Sequence, residues 1–203
     1  MAKIKLSKSE LKTQHDALKQ FMRFLPTLQL KKQQLQMEIR RSTERMEENE
    51  SEYRQALAEL QSWIALFGDD VAAARLIEIV SLTGIASESW NIAGVEVPVF
   101  KEATFDVKSY DLYLEDAWFS DAVNKIQELI ILRESGKLLK EQNHLLSREL
   151  TTTSQRVNLF EKIKIPECRE NIRRIRIYLS DMDTSGVVRS KIAKKKTQER
   201  SAA

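Results

Sequence analysis

Glycine and proline are scarce, five and three in 203 residues, well below ordinary usage. Repeated tight turns need both, so the shortage argues against an all-β sandwich or barrel. A single cysteine, Cys168, leaves no partner for an intramolecular disulfide and fits a reducing cytosol. No cysteine and histidine cluster has metal-ligand spacing. No window approaches the roughly 18 apolar residues of a membrane span, and the opening MAKIKLSKSELK lacks the apolar core of a signal peptide. A soluble protein is the expectation. Aromatics are only 7% of residues, whereas 42% are hydrophobic and 31% charged. That mixture of burial and charge, with few turn formers, reads as mostly helix.

The formal charge of +3 conceals an asymmetry. Residues 189–200 hold Arg189, Lys191, Lys194, Lys195, Lys196 and Arg200 against Glu199, a net +5. Residues 1–12 hold Lys3, Lys5, Lys8 and Lys12 against Glu10, a net +3, which leaves −5 for the body between. Both ends are basic and the middle is acidic.

Steps alternating between three and four residues from Ile4 reach Leu11, Leu18, Phe21, Leu25, Leu28, Leu35, Ile39, Met46, Tyr53, Leu60 and Phe67 without a slip. A sustained 3.5-residue repeat marks a coiled-coil helix. Ser7 with Glu10 can cap its start and Gly68 can stop it, while Pro26 removes one donor inside it. Lys32, Ser42 and Asn49 fall in the seam, where they are either tolerated or fix register and admit partners. A second run starts near Asp116 and continues to about Met182 through Phe119, Val123, Ile130, Leu146, Val157, Ile172 and Leu179. Its frame shifts near Gly136 and around Ile165-Pro166, where a kink or break is expected. Two stripes of matched length predict an antiparallel helical hairpin that brings both basic ends to one tip.

The connector differs. Half of the aromatics fall between residues 85 and 119, beside Gly84, Gly94 and Pro98. Alternation at Val95, Val97 and Val99, and again at Ala103, Phe105 and Val107, predicts a β-hairpin over 85–107 after a short helix at 70–80, with Pro98 at an edge. The valines and aromatics of this hairpin can pack a small core of their own. The expected fold is therefore all-α dominated: a long antiparallel two-helix coiled coil with a small central head of one short helix and a β-hairpin. The divisions are an N-terminal helix (1–68), the head (69–115), a C-terminal helix (116–186) and a basic tail (187–203).

No catalytic constellation is present. His15 and His144 read as solvated, Cys168 as a packing residue, and no glycine-rich phosphate loop occurs. No catalytic residue, metal site or cofactor is expected. The basic tail leaves a nucleic-acid-binding protein as an alternative, although no aromatic residue is interleaved with it. A cytosolic coiled-coil adaptor shares every helix expectation.

Three segments resemble a known family. KLSKSELKTQHDALKQFMRFLPTLQLKKQQLQMEI (5–39), NIAGVEVPVF (91–100) and QRVNLFEKIKIPECRENIRRIRIYLSDMD (155–183) are similar, in order, to segments of the D subunit of the V-type (vacuolar and archaeal-type) ATPases, in a bacterial member. Arg156-Val157-Asn158 placed before Ile165-Pro166 is the most specific part, while Gln33-Gln34 stand where the family has a basic and acidic pair. The resemblance implies a non-catalytic central-stalk rotor shaft, cytoplasmic and peripheral to the membrane, that takes part in ATP synthesis or hydrolysis and in proton or sodium ion transport. Its implied partners are the catalytic and non-catalytic subunits of the hexamer, the small F subunit, and the ring-docking component of the stalk, without direct nucleic-acid binding or membrane insertion. For the contact at the tip the candidates are Lys3, Lys5, Lys8, Arg189, Lys191, Lys194, Lys195 and Lys196.

Overall fold

A computed structural model describes residues 4–64, 79–109 and 118–201, with the backbone alone for 61–64 and 201. In chain order these form α1 (Lys8–Ile64), β1 (Val80–Ile92), β2 (Val95–Val107), α2 (Phe119–Asn158), a π-helical turn (Leu159–Lys164) and α3 (Ile165–Ser201). The fold is all-α dominated, with long N- and C-terminal helices and a two-stranded antiparallel hairpin. The chain divides into two compact units, residues 1–31 with 153–203 and residues 32–152. The expected stop at Gly68 and the expected start at Asp116 lie outside the described residues.

Helix α1 starts as its sequence dictates. Ser7 Oγ accepts the Glu10 N–H at 3.2 Å, which satisfies one of the free donors of the first turn. Glu10 does not reach back; its Oε1 accepts Gln14 Nε2 at 2.9 Å instead. Every position of the predicted seam from Ile4 to Leu60 is buried or half-buried, so the 3.5-residue repeat alone selects the inward face. Pro26 lies inside α1 without ending it. Its ring is on an exposed turn, where the Met22 carbonyl that loses a donor can turn to water.

In the first unit, α1 and α3 run antiparallel. Asn171 Nδ2 donates to Gln14 Oε1 at 3.3 Å, Arg176 Nη2 lies 3.0 Å from His15 Nε2, and the rings of Phe21 and Phe160 meet at 5.0 Å. The buried side of the C-terminal helix steps through Thr153, Val157 and Phe160, then Ile165, Cys168, Ile172, Ile175 and Leu179. The step from Phe160 to Ile165 is five residues where three or four is the rule. The π-helical turn absorbs it, since the Ile165 N–H reaches the Phe160 carbonyl, five residues back. Of the kink or break expected at Ile165-Pro166, the break does not occur, since helix runs through on both sides of the π-helical turn. A turn of five residues returns the apolar stripe to the seam, and Pro166 follows it as the second residue of α3 without ending the helix. The helix then continues through the basic tail to Ser201.

The second unit pairs the rest of α1 with α2, again antiparallel. Asn143 Nδ2 donates to Thr43 Oγ1 at 3.1 Å, Asn49 Nδ2 to Ser135 Oγ at 2.9 Å, and Lys125 Nζ lies 2.7 Å from Glu59. Strand β1 begins at Val80, five residues before the predicted hairpin, so the last residue of the predicted short helix is strand. Ile79 before it is helical, and residues 70–78 lie outside the described residues. Gly84 does not end the strand, because a register shift between Leu82 and Gly84 accommodates it as a bulge.

At the hairpin tip, Ile92 pairs with Val95 around a two-residue turn in which Ala93 (φ 52°) and Gly94 (φ 80°) are both left-handed. Asn91 Oδ1 accepts the Gly94 N–H at 3.0 Å. Counting back from Ile92–Val95, the pair Ser89–Pro98 falls at a non-hydrogen-bonded position, so the missing proline donor faces the open edge. The buried residues of the hairpin pack on helices rather than on one another, against expectation. At its base Ile79 and Val80 pack on Phe119, Ala122 and Val123, and near its tip Val97 packs on Leu35 and Leu146.

Candidate partner-contact surfaces

The basic residues singled out from sequence are surface groups. Lys5, Lys8, Arg189, Lys191, Lys194, Lys195 and Lys196 are exposed, and Lys3 lies outside the described residues. Within the first unit Lys8 and Leu11 share an open cleft with Arg176, Leu179, Asp183 and Val187. The start of α1 therefore lies beside the stretch of α3 from Arg176 to Val187, before Arg189 is reached, and α3 continues beyond it to Ser201. Lys191 and Lys194 line the next cleft with Met182, Gly186 and Val187. Val187, Val188 and Ile192 stand exposed among these cations, each about half accessible. The result is a helix end whose face mixes aliphatic side chains with ammonium groups. Lys195 lies 3.9 Å from Glu199, an exposed contact of little strength.

Other charges are tied up. Glu170 accepts from both Arg173 and Arg174 at 2.9 Å, and these bonds, Arg173 first, hold its carboxyl down to about 2. Lys125 bridges Glu59 and Glu128, at 2.7 and 2.9 Å, which pulls the Glu59 carboxyl below and the ammonium above their usual ranges. Glu134 is the one acid among the buried polar residues described; its bond to Lys137 at 2.6 Å outweighs burial and lowers its pKa. The Lys137 partner three residues on is a readable signal of this. The isolated seam residue Ser42 is buried with no partner for its hydroxyl, while Asn49 bonds across to α2.

Burial, with the Glu167 charge beside it, pushes the Cys168 thiol up, so it stays protonated and inert. His15 is exposed and meets Arg176, while His144 is exposed on α2. Among the described residues no group of three or more His, Cys, Asp or Glu is placed to hold a metal ion, and no helix is long and apolar enough to cross a membrane.

Antiparallel long helices, a hairpin laid on one pair of them and a basic helix end define an all-α dominated coiled-coil protein. Comparison with known proteins then gives the family. The model of the ATP synthase D-subunit family matches residues 10–195, and the chain belongs to that family. It is 42% identical over 194 residues to the V-type ATP synthase D subunit of Borreliella burgdorferi, covering 96% of this chain and 95% of that one. It is 33% identical over 199 residues to the protein of the same name from Chlamydia pneumoniae, covering 98% and 95%.

Proposed function

We propose that this chain is the non-catalytic central-stalk rotor shaft of a V-type ATP synthase, cytoplasmic and peripheral to the membrane, which couples ATP chemistry in the catalytic hexamer to proton or sodium ion transport. The observation that carries the reading is the seam of α1, inward at every predicted position from Ile4 to Leu60. A shaft must resist twisting and bending, and two helices joined along an apolar seam are stiffer than either alone. The sequence divisions at 69–115 for the head and 187–203 for the tail are part of this proposal.

In this reading the ends carrying Lys3, Lys5, Lys8, Arg189, Lys191, Lys194, Lys195 and Lys196 face the lining of the hexamer of catalytic and non-catalytic subunits. The F subunit sits along the body, and a ring-docking component joins the chain to the membrane rotor. A shaft visiting several catalytic sites must favour a different conformation at each by differential contact, because equal contact shifts no equilibrium. The mixed aliphatic and cationic face of α3 supplies contacts of both kinds, the cationic share weakening with salt.

The test is affinity purification of the tagged chain co-expressed with the other ATPase components. Copurification of the hexamer and the F subunit supports the reading. Lys194, Lys195 and Lys196 changed together to Glu should weaken hexamer assembly, more at low salt than at high, and leave binding of the F subunit nearly unchanged. If the hexamer ignored the chain and the triple change abolished nucleic-acid binding instead, the rotor reading would be wrong.

A further inference from the structure

Two interruptions of the backbone hydrogen-bond ladder meet in the first unit. In α1, Pro26 has no N–H, so the Met22 carbonyl loses the donor four residues on. On the facing helix the π-helical turn Leu159–Lys164 replaces the usual bond by a longer one, from the Ile165 N–H to the Phe160 carbonyl. Pro166, directly after, donates nothing back into that turn. The fold sets these features at one level. Phe21, next to Met22, and Phe160, inside the π-helical turn, bring their rings to 5.0 Å. Helices bend at prolines and at π-helical turns. An interruption in one helix alone is splinted by an intact neighbour, and here neither helix is intact.

Side-chain packing is thin at the same level. From Asn158 to Lys164 no side chain is fully buried, and Phe21 and Leu25 on α1 are only half-buried. Met22, Phe24 and Ile163 are each more than half exposed, so large apolar side chains are present without clamping the layer. Towards the chain ends Ile165, Cys168, Ile172 and Ile175 are buried, Asn171 bonds to Gln14 and Arg176 meets His15. On the other side of the turn Thr153 and Val157 are buried again. A weak layer therefore lies between two firm ones.

We propose that the Phe21–Phe160 layer is a compliant joint, at which the helix pair bends and twists while the packed seams on either side stay closed. The joint flexes in place rather than letting α3 slide along α1. A slip of one residue would exchange Ile165, Ile172 and Ile175 in the seam for Lys164, Asn171 and Arg174, or for Pro166, Arg173 and Arg176. Either exchange buries charge in place of aliphatic side chains. The inference concerns the helix pair itself and goes beyond the rotor reading; in a shaft, load applied at one end is taken up at this layer first.

The experiment uses the full isolated chain with Cys168→Ala and spin labels on introduced cysteines. Gln155→Cys with Arg169→Cys spans the joint, and Arg169→Cys with Asp183→Cys spans an equal number of residues of α3; all three positions are exposed. Double electron–electron resonance should give a distance distribution about twice as wide across the joint as across the control pair. Pro26→Ala restores the donor on α1 and should narrow the joint distribution towards the control, although it lies on the unlabelled helix. Deleting Lys162, exposed in the π-helical turn, shortens the step from Phe160 to Ile165 by one residue and should narrow it further. Should that deletion lower helical circular dichroism, the Pro26→Ala comparison decides alone. Equal widths for the two pairs in the parent chain overturn the joint. A wide distribution that Pro26→Ala leaves unchanged also overturns it, since the bend would then belong to one helix only. Neither outcome touches the rotor reading, which is tested by copurification.

Discussion

Replacing Gly136 by alanine should change the sign of its effect with the residue at position 49. In a helix interior alanine is favoured over glycine by about 1 kcal/mol, which would make the exchange stabilising at an open site. Gly136 is not open: a Cβ there would lie 2.6 Å from Asn49 Oδ1, well inside contact distance. The amide can rotate away, but that sacrifices its 2.9 Å bond to Ser135, worth about 0.5–1.5 kcal/mol, and leaves a half-buried amide in the seam. Gly136→Ala alone should therefore be neutral to destabilising by about 1 kcal/mol. In an Asn49→Ala background the obstruction is gone, and the same exchange should stabilise by about 1 kcal/mol. The coupling between the sites is then about 1–2 kcal/mol, as expected for residues in contact. Urea unfolding of the four chains, followed by helical circular dichroism, measures it. Equal stabilisation in both backgrounds would refute the close approach of the two helices at this layer.

Ala93 holds a left-handed conformation that costs a residue with a Cβ about 1 kcal/mol, so Ala93→Asn should stabilise the hairpin by about 0.5–1 kcal/mol; slower amide exchange in β1 and β2 would show it, and unchanged exchange would count against the turn. Ser42→Ala removes a buried hydroxyl with no partner and should stabilise the second unit by up to about 1 kcal/mol in urea unfolding, whereas a loss would mean that the hydroxyl is bonded after all. Glu170 has a folded pKa of about 2, below the roughly 4.3 of an unfolded glutamate. Its contribution is present above the unfolded value and is lost as pH falls from there towards 2. Glu170→Gln should accordingly flatten acid unfolding in that window and leave the shape of the neutral range unchanged; an acid limb as steep as that of the parent chain would show that the two arginine bonds do not form in solution.

The seam of α1 is legible because a helix of that length can bury one stripe only, and its frame never slips from Ile4 to Leu60. The second stripe is harder. A five-residue step from Phe160 to Ile165 looks in sequence like a broken helix, and nothing local distinguishes a break from a π-helical turn. The difference is made by tertiary contact, Phe160 against Phe21 on one side and the buried Ile165 and Cys168 on the other. The hairpin is legible in its alternation but not in its extent, because β1 starts at Val80, before the alternation begins, and carries a register shift between Leu82 and Gly84. Its aromatics suggest a private core, yet Trp90 is left open and the packing goes through valines onto the helices. The basic ends are plain from composition. That Pro26 and the π-helical turn share a level is invisible in sequence, since the two lie far apart along the chain and meet only where the helices pair.

Rotation itself tests the central claim most directly. A bead attached through the hairpin of this chain, in a surface-held complex supplied with ATP, should turn in one direction in discrete steps. A complex that hydrolyses ATP at its full rate while the bead stays still, or that assembles and couples without this chain, would contradict the rotor reading.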